Sequence, residues 1–362
     1  MSRMFDGAID GAIDGAIDVA EEFGGVDAMR YRRFGTSDLV VSDVGFGTWT
    51  LVTDWWGRTD DPHDMIKAAL DEGVNFIDTA PVYGGEGAGE TILRDYLAER
   101  DDLVLTTKIG YDVSDGPRFG QRERPHDWRP ESVRRQVDES LRRLGTDRID
   151  LLQLHNPRIE PIIDDALWET LVALRAEGKV RELGVALGPA IGWVDEGNRS
   201  IAERPIVALQ TVFNIIEQEP GLTFARQPRV EAGEVGLIAR VPHASDTLSG
   251  KITPDTVFPK GDHRAHRNRD NMLDNFEKAE TLAFLWAPEA GRTMGQAAVA
   301  GILANPAFTC VLPTVLSVDD VREYARASET PLTDTEARDV DALFGRNFDH
   351  ADRFVMPLKS SV

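Results

Sequence analysis

The chain has 362 residues, 41% of them apolar, which is enough for one large buried core and short for two average domains. Its 62 acidic and 40 basic residues give a net charge of −22, so the surface repels nucleic-acid phosphates and anionic lipid, and neither is expected as a partner. No run of about 18 uncharged apolar residues occurs, which argues against a membrane-spanning helix.

Only seven of the basic residues are lysines. An acidic, lysine-poor surface suits concentrated salt, where screening over a few ångströms suppresses self-repulsion. The opening MSRMFDGAIDGAID interrupts every apolar stretch with aspartate and does not read as a secretory signal. Together these features predict a halophilic, cytoplasmic protein. The single cysteine, Cys310, excludes an intramolecular disulfide and a cysteine-based zinc site. It lies in the apolar run FTCVLP and reads as a small buried hydrophobe.

In chain order, residues 1–28 stand apart. GAID occurs three times over 7–18, placing Ile9, Ile13 and Ile17 on one helical face, yet its Gly and Asp content favours a poorly ordered extension. A hairpin is expected around 36–38, between YRRF and LVVS. Eight short apolar segments follow, at 44–48, 74–79, 103–110, 149–155, 181–187, 206–213, 236–241 and 308–313. Most are unbroken apolar runs, as parallel strands covered on both faces require. Helical stretches separate them. One opens at Asp61-Pro62, one runs from Arg129-Pro130 to Gly145, and one runs from Asp164/Asp165 to Gly178.

Eight right-handed β-crossover-β units predict a (β/α)8 TIM barrel with an N-terminal β-hairpin, in a domain covering 29–362. The rival doubly wound sheet needs a third glycine that GFGTWT lacks. Long insertions, about 112–128 and 242–269, follow the third and seventh strands, on the face where barrel enzymes keep their chemistry.

Polar residues at the strand ends define the candidate site. Asp78 ends the second strand, which runs on into Tyr83; Lys108 and His155 end the third and fourth. Neighbouring strand ends bring a carboxylate, a phenol, an ammonium and an imidazole to one patch. A free tyrosine, with a pKa of about 10, is a poor proton carrier near neutrality. A nearby ammonium lowers that value, and a carboxylate keeps a buried lysine charged. The imidazole donates to a substrate oxygen. Each residue alone also suits a packing role; the joint placement is what points to acid–base chemistry, with no metal required.

The segments VGFGTW, NFIDTAPVYG with GETIL, LTTK, IDLLQLHNP, GKVRELGV and LSGK resemble the aldo-keto reductase superfamily from Arg30 to about Ala327. The histidine-containing DHRAHR resembles its bacterial and archaeal branch. The resemblance implies hydride transfer between NAD(P)H and a carbonyl such as an aldehyde, ketone or aldose, or the reverse from an alcohol. It makes Tyr83 the general acid/base, tuned by Lys108 and Asp78, with His155 orienting the substrate. Trp49 and Trp56 would wall the substrate pocket or pack a lid. Cofactor contacts are implied at Gly47, Thr48, Asp78, Gln210, Arg240, Pro242, Ser245, Lys251 and Ser317.

Several positions depart from the family pattern. Ala186-Leu187 replaces the Ser-Asn pair that holds the carboxamide, and Arg240 replaces the aromatic residue under the nicotinamide. Thr314 stands in place of a glycine, Ser317 in place of the arginine that binds a 2′-phosphate, and Asp320 and Tyr324 in place of the adenine-side Gln and Asn. Losing that arginine removes the main reason to prefer NADP, and Asp319 and Asp320 repel a 2′-phosphate, although Arg322 is close in sequence. NAD and NADP both remain open. The competing function is a non-catalytic cofactor-sensing or assembly subunit of the same fold, which these departures motivate and the intact Asp-Tyr-Lys-His set opposes. Oligomeric state leaves no mark in the sequence.

Overall fold

The computed structural model describes residues 29–53, 55–113 and 124–361. The GAID repeats and the middle of the 112–128 insertion lie outside the described residues. An antiparallel hairpin pairs β1 (Tyr31–Arg33) with β2 (Val40–Ser42). Eight parallel strands follow: β3 (Phe46–Gly47), β4 (Phe76–Asp78), β5 (Val104–Ile109), β6 (Ile149–His155), β7 (Val180–Ala186), β8 (Ala208–Val212), β9 (Gly236–Arg240) and β10 (Phe308–Leu312). They pair in chain order. A parallel bridge between Val44 and Val311 joins the two ends, with Gly45 N donating to Val311 O and Val311 N to Asp43 O, both at 2.9 Å. The result is the expected barrel, each strand falling on one of the eight apolar runs and most of them shorter than the run.

The helices begin and end where their caps dictate. Pro62–Asp71 starts on the Asp61 side chain, which accepts from His63 N. Pro130–Leu144 stops at Gly145, in the left-handed conformation at φ +71°. Asp165–Ala176 starts on Asp164, whose carboxylate accepts from Ala166 N. Among the described residues, no helix is long and apolar enough to cross a membrane.

Strand side chains alternate between faces, which splits the apolar core in two. Ile77, Leu105, Leu152, Val185, Leu209, Leu237 and Val311 point outward and pack beneath the helices. Phe76, Val104, Leu151, Ala208, Ile238 and Cys310 point inward and meet Phe34 and Leu39 from the hairpin, which plugs the barrel's N-terminal end. Phe34 and Phe76 pack edge to face at 5.3 Å. The plug sits close against the barrel: Gly35 has φ +50°, and a Cβ there would lie 2.2 Å from Glu234 O. Cys310 is fully buried, and burial holds its thiol well above the ordinary value, so it is packing rather than a nucleophile.

Phe34→Ala removes a fully buried ring from this plug, and unfolding free energy should fall by roughly 3–5 kcal/mol in denaturant titration. A loss under about 1 kcal/mol would mean that the site collapses around the gap and that the hairpin does not close the core.

Candidate active site

The inward parity that places Phe76, Val104 and Leu151 at the closed end continues upward. Two residues past Phe76 comes Asp78; four past Val104 and Leu151 come Lys108 and His155; two past Ala208 and Ile238 come Gln210 and Arg240. All five side chains therefore point into the C-terminal mouth. Below them Gln153 Nε2 donates to Thr106 Oγ1 at 2.8 Å, a polar layer buried in the barrel.

Tyr83 reaches the same mouth from the loop after β4. Its backbone N donates to Ala80 O and its carbonyl accepts from Gly89 N, both at 3.1 Å. Gly89 permits this close approach, since a Cβ there would lie 2.9 Å from Tyr83 Cβ. The following turn is anchored by buried Glu90, which accepts from Thr107 Oγ1 at 2.6 Å and from Arg143 Nε at 2.6 Å. The GETIL segment thus fixes the phenol against β5.

Lys108 Nζ lies at the centre of the cluster. It donates to both Asp78 carboxylate oxygens, to Thr79 O at 2.8 Å and to the Tyr83 hydroxyl at 3.2 Å. Gln210 Nε2 donates to Asp78 Oδ2 at 3.3 Å. The His155 ring stands edge-on to Tyr83 at 5.9 Å and to Tyr111 at 4.9 Å. The four sequence-derived residues are therefore one contiguous group.

Burial opposes the Lys108 charge, but Asp78 and Tyr83 outweigh it and hold the ammonium above its ordinary pKa. Burial raises the Tyr83 phenol, while the Lys108 cation pulls it down. Sequence reasoning weighed only the second influence; the net direction is upward, so Tyr83 rests as a phenol. Burial, with the Lys108 and Arg240 cations adding to it, holds His155 well below the ordinary imidazole value. His155 is thus neutral, with one N–H to donate.

Above the cluster opens a cleft of about 980 Å³. Gly47, Trp49, Trp56, Asp78, Tyr83, His155, Gln210 and Arg240 line it, as do Tyr111, Asn156, Arg124, Trp55 and His263. Sequence reasoning did not single out that last group. Trp55 follows Asp54 in the Trp56 segment and His263 lies in DHRAHR, but no periodicity pairs segments about 200 residues apart. His263 stacks on Trp56 (centroids 5.6 Å) and on Trp55 (6.5 Å) and stands edge-on to Trp49 (5.7 Å). Arg264 fastens this crossing by pairing with Asp262 at 2.6 Å and with Asp246, and by donating to Trp56 O at 3.2 Å. Trp49 and Trp56 thus both face the cleft and pack the covering loop.

Other expected cofactor positions stand elsewhere. Thr48 is fully buried and its hydroxyl donates to Thr79 at 2.7 Å. Pro242 does not line the cleft, though its neighbour Val241 does. Ser245 faces a small adjoining pocket with Arg267. Ser317 caps its own helix, accepting from Asp320 N at 3.1 Å and donating to the Asp320 carboxylate at 2.7 Å. Lys251 pairs with that same carboxylate and lies 3.7 Å from Glu323. Ala186 and Leu187 are buried and apolar, so no side-chain amide stands where the family pattern has one.

These donors fit a nicotinamide dinucleotide unevenly. At the Tyr83 end, the Gln210 amide, the Gly47 backbone and the Arg240 guanidinium offer a polar floor, and Arg240 Nε is buried without an acceptor. At the Ser317 end, Lys251 is paired with the carboxylates of Asp320 and Glu323.

A (β/α)8 barrel carrying an Asp-Tyr-Lys-His group at its C-terminal mouth defines the class as a carbonyl–alcohol oxidoreductase. Residues 43–344 match the model of the aldo/keto reductase family, to which this chain belongs. The aldo-keto reductase YhdN of Bacillus subtilis (strain 168) is 27% identical over 327 residues, covering 87% of this chain and 93% of that protein. The NADH-specific methylglyoxal reductase of Escherichia coli (strain K12) is 29% identical over 324 residues, covering 84% and 94%. The structure of the glycerol dehydrogenase AKR11B4 from Gluconobacter oxydans superposes with a TM-score of 0.72 at 29% identity, covering 90% of this chain and 99% of that one. The chain is accordingly an NAD(P)-dependent enzyme of this family.

Burial also holds His243 down, to a pKa of about 4, with its Nε2 against Gly295 O at 3.2 Å. A buried imidazole with a depressed pKa leaves stability intact above the unfolded value of about 6.5 and removes it as pH falls toward the folded value. His155 acts with the same sign. Denaturant titrations at pH 7 and pH 5 should show His243→Phe losing less stability on acidification than the parent, by about 2 kcal/mol. An equal loss in both proteins would place the His243 charge in solvent.

Proposed function

We propose that Tyr83 is the proton donor to a substrate carbonyl oxygen in reduction and the acceptor in the reverse direction. The observation that carries this reading is the single ammonium of Lys108, bonded at once to Asp78 and to the Tyr83 hydroxyl. The bound dihydronicotinamide supplies the hydride. As the proton leaves Tyr83, the Lys108 cation stabilises the phenolate, which burial alone would disfavour. Asp78 keeps Lys108 charged, and the neutral His155 donates a hydrogen bond that holds the carbonyl oxygen toward the phenol. Trp49, Trp55 and Trp56 form the apolar wall against which a small aldehyde, ketone or sugar is held.

For the adenosine end, the reading is a preference for NAD over NADP. Ser317 is turned onto its own helix, and the acidic groups around Lys251 oppose a 2′-phosphate. Pro242, Ser245 and Lys251 are assigned to the pyrophosphate side, Thr48 to supporting Thr79. The non-catalytic reading is not preferred, because the complete proton-transfer group is assembled in contact. The domain reading is one barrel over 29–362 behind an N-terminal extension. The net charge of −22 with seven lysines supports work in a concentrated-salt cytoplasm, free of nucleic-acid partners.

Tyr83→Phe removes the transferable proton and little else. Its kcat for aldehyde reduction should drop roughly 10²–10⁴-fold, with the melting temperature and the affinity for NADH close to the parent's. Full turnover would show that another group carries the proton.

A further inference from the structure

The charges at the floor of the mouth do not sum to zero. Asp78 is spent on Lys108, which grips both its oxygens; Tyr83 and His155 rest neutral. Arg240 remains. Its guanidinium points inward from the end of β9, lines the cleft beside Tyr83 and Gln210, and is close enough to both Tyr83 and His155 to shift their titration. Among the described residues it makes one hydrogen bond, from Nη2 to Leu187 O at 2.6 Å, and has no carboxylate within ion-pair distance. Nε is buried without an acceptor.

Four other arginines of the molecule differ from Arg240 in this respect. Arg143, Arg204, Arg264 and Arg292, each with little side-chain exposure, have a carboxylate partner at 2.7 Å or closer. In a chain with 62 acidic residues, a half-buried guanidinium with no carboxylate partner is a property of that site rather than of composition. Arg267, along the cleft wall, adds charge of the same sign.

We infer that Arg240 is a charge sensor for the redox state of the nicotinamide ring, making the site bind the reduced, neutral ring more tightly than the oxidised, cationic one. The inference rests on the function proposed above. A ring able to pass a hydride to a carbonyl polarised by Tyr83 must lie on the floor formed by His155, Gln210 and Arg240, because these are the inward residues around that point. In reduction the carbonyl carbon takes the hydride with its electron pair and the oxygen takes the Tyr83 proton, leaving unit positive charge on the ring. That charge then faces a guanidinium for which the floor supplies no counter-ion, in surroundings of low effective dielectric. A neutral aromatic ring in the place of Arg240 would instead attract the oxidised form through its π face. The consequence is preferential capture of the reduced cofactor and rapid loss of the oxidised one, a bias toward carbonyl reduction.

The test measures dissociation constants for NADH and NAD⁺, and separately for NADPH and NADP⁺, by fluorescence titration and competition with the intact chain in concentrated salt. The oxidised-to-reduced ratio within each pair cancels every contact except the ring. Arg240→Gln should lower that ratio at least tenfold by tightening the oxidised form, equivalent to about 30 mV in the two-electron potential of the bound cofactor. Arg240→Lys, which keeps the charge, should leave the ratio near the parent's and so separates charge from packing. An unchanged ratio in Arg240→Gln, or equal weakening of both forms, would overturn the inference while leaving Tyr83 chemistry untouched. Failure of the parent protein to bind any of the four would overturn the cofactor reading and this inference together.

Discussion

A lysine ammonium sunk in a barrel mouth is tolerable only if its charge is met on every side, and the rest of the site follows from meeting it. Removing an ammonium from water costs several kcal/mol after relaxation. Asp78 supplies the counter-charge, Thr79 O a neutral acceptor and Tyr83 the remaining oxygen. Because three acceptors must converge on one nitrogen, the loop after β4 has to fold back over β5, which the Glu90–Arg143–Thr107 network and the tight approach of Gly89 secure. The phenol is thereby held beside a cation whose influence grows as negative charge develops on it. The same contacts that let Lys108 stay buried are the ones on which the proposed proton transfer from Tyr83 depends.

Charge also organises the surroundings of this pair. Burial keeps His155 neutral, so it adds no second full charge near the phenol. Arg240 is the exception, a cation at the cleft floor with no carboxylate partner among the described residues. Farther out the pattern reverses. Asp320 and Glu323 surround Lys251. A protein with net charge −22 therefore places Arg240 on the floor of its cleft and gathers carboxylates around Lys251. The covering loop from the β9 side is fastened by Arg264 between two carboxylates and by the His263 stack on paired tryptophans.

The barrel was legible because eight unbroken apolar runs separated by capped helices leave few topologies, and Asp78, Lys108 and His155 were legible because they end adjacent strands at inward parity. Tyr83 is on no strand; its position follows from the resemblance and from the sequence of its own loop, not from periodicity. Trp55 and His263 could not be paired from sequence, since their meeting depends on the path of a loop whose residues obey no repeat. The isolation of Arg240 was equally hidden, because in so acidic a chain nothing in the sequence says which arginines lack a partner. The direction of the Tyr83 shift was misjudged for a related reason: a neighbouring lysine can be read from strand order, whereas the depth of burial opposing it emerges only once the loop has folded.

The most direct measurement of the central claim is the ionisation of Tyr83 itself, followed by the ultraviolet difference between the protein and its Tyr83→Phe form. The comparison is made in the parent and in an Asp78→Asn/Lys108→Met background that removes the ion pair as a unit. If the ammonium tunes the phenol, the paired deletion moves the Tyr83 transition to still higher pH in a protein that remains folded. An unmoved transition, or one shifted to lower pH, would contradict the account, because the cation would then have no hold on the proton that the reaction needs.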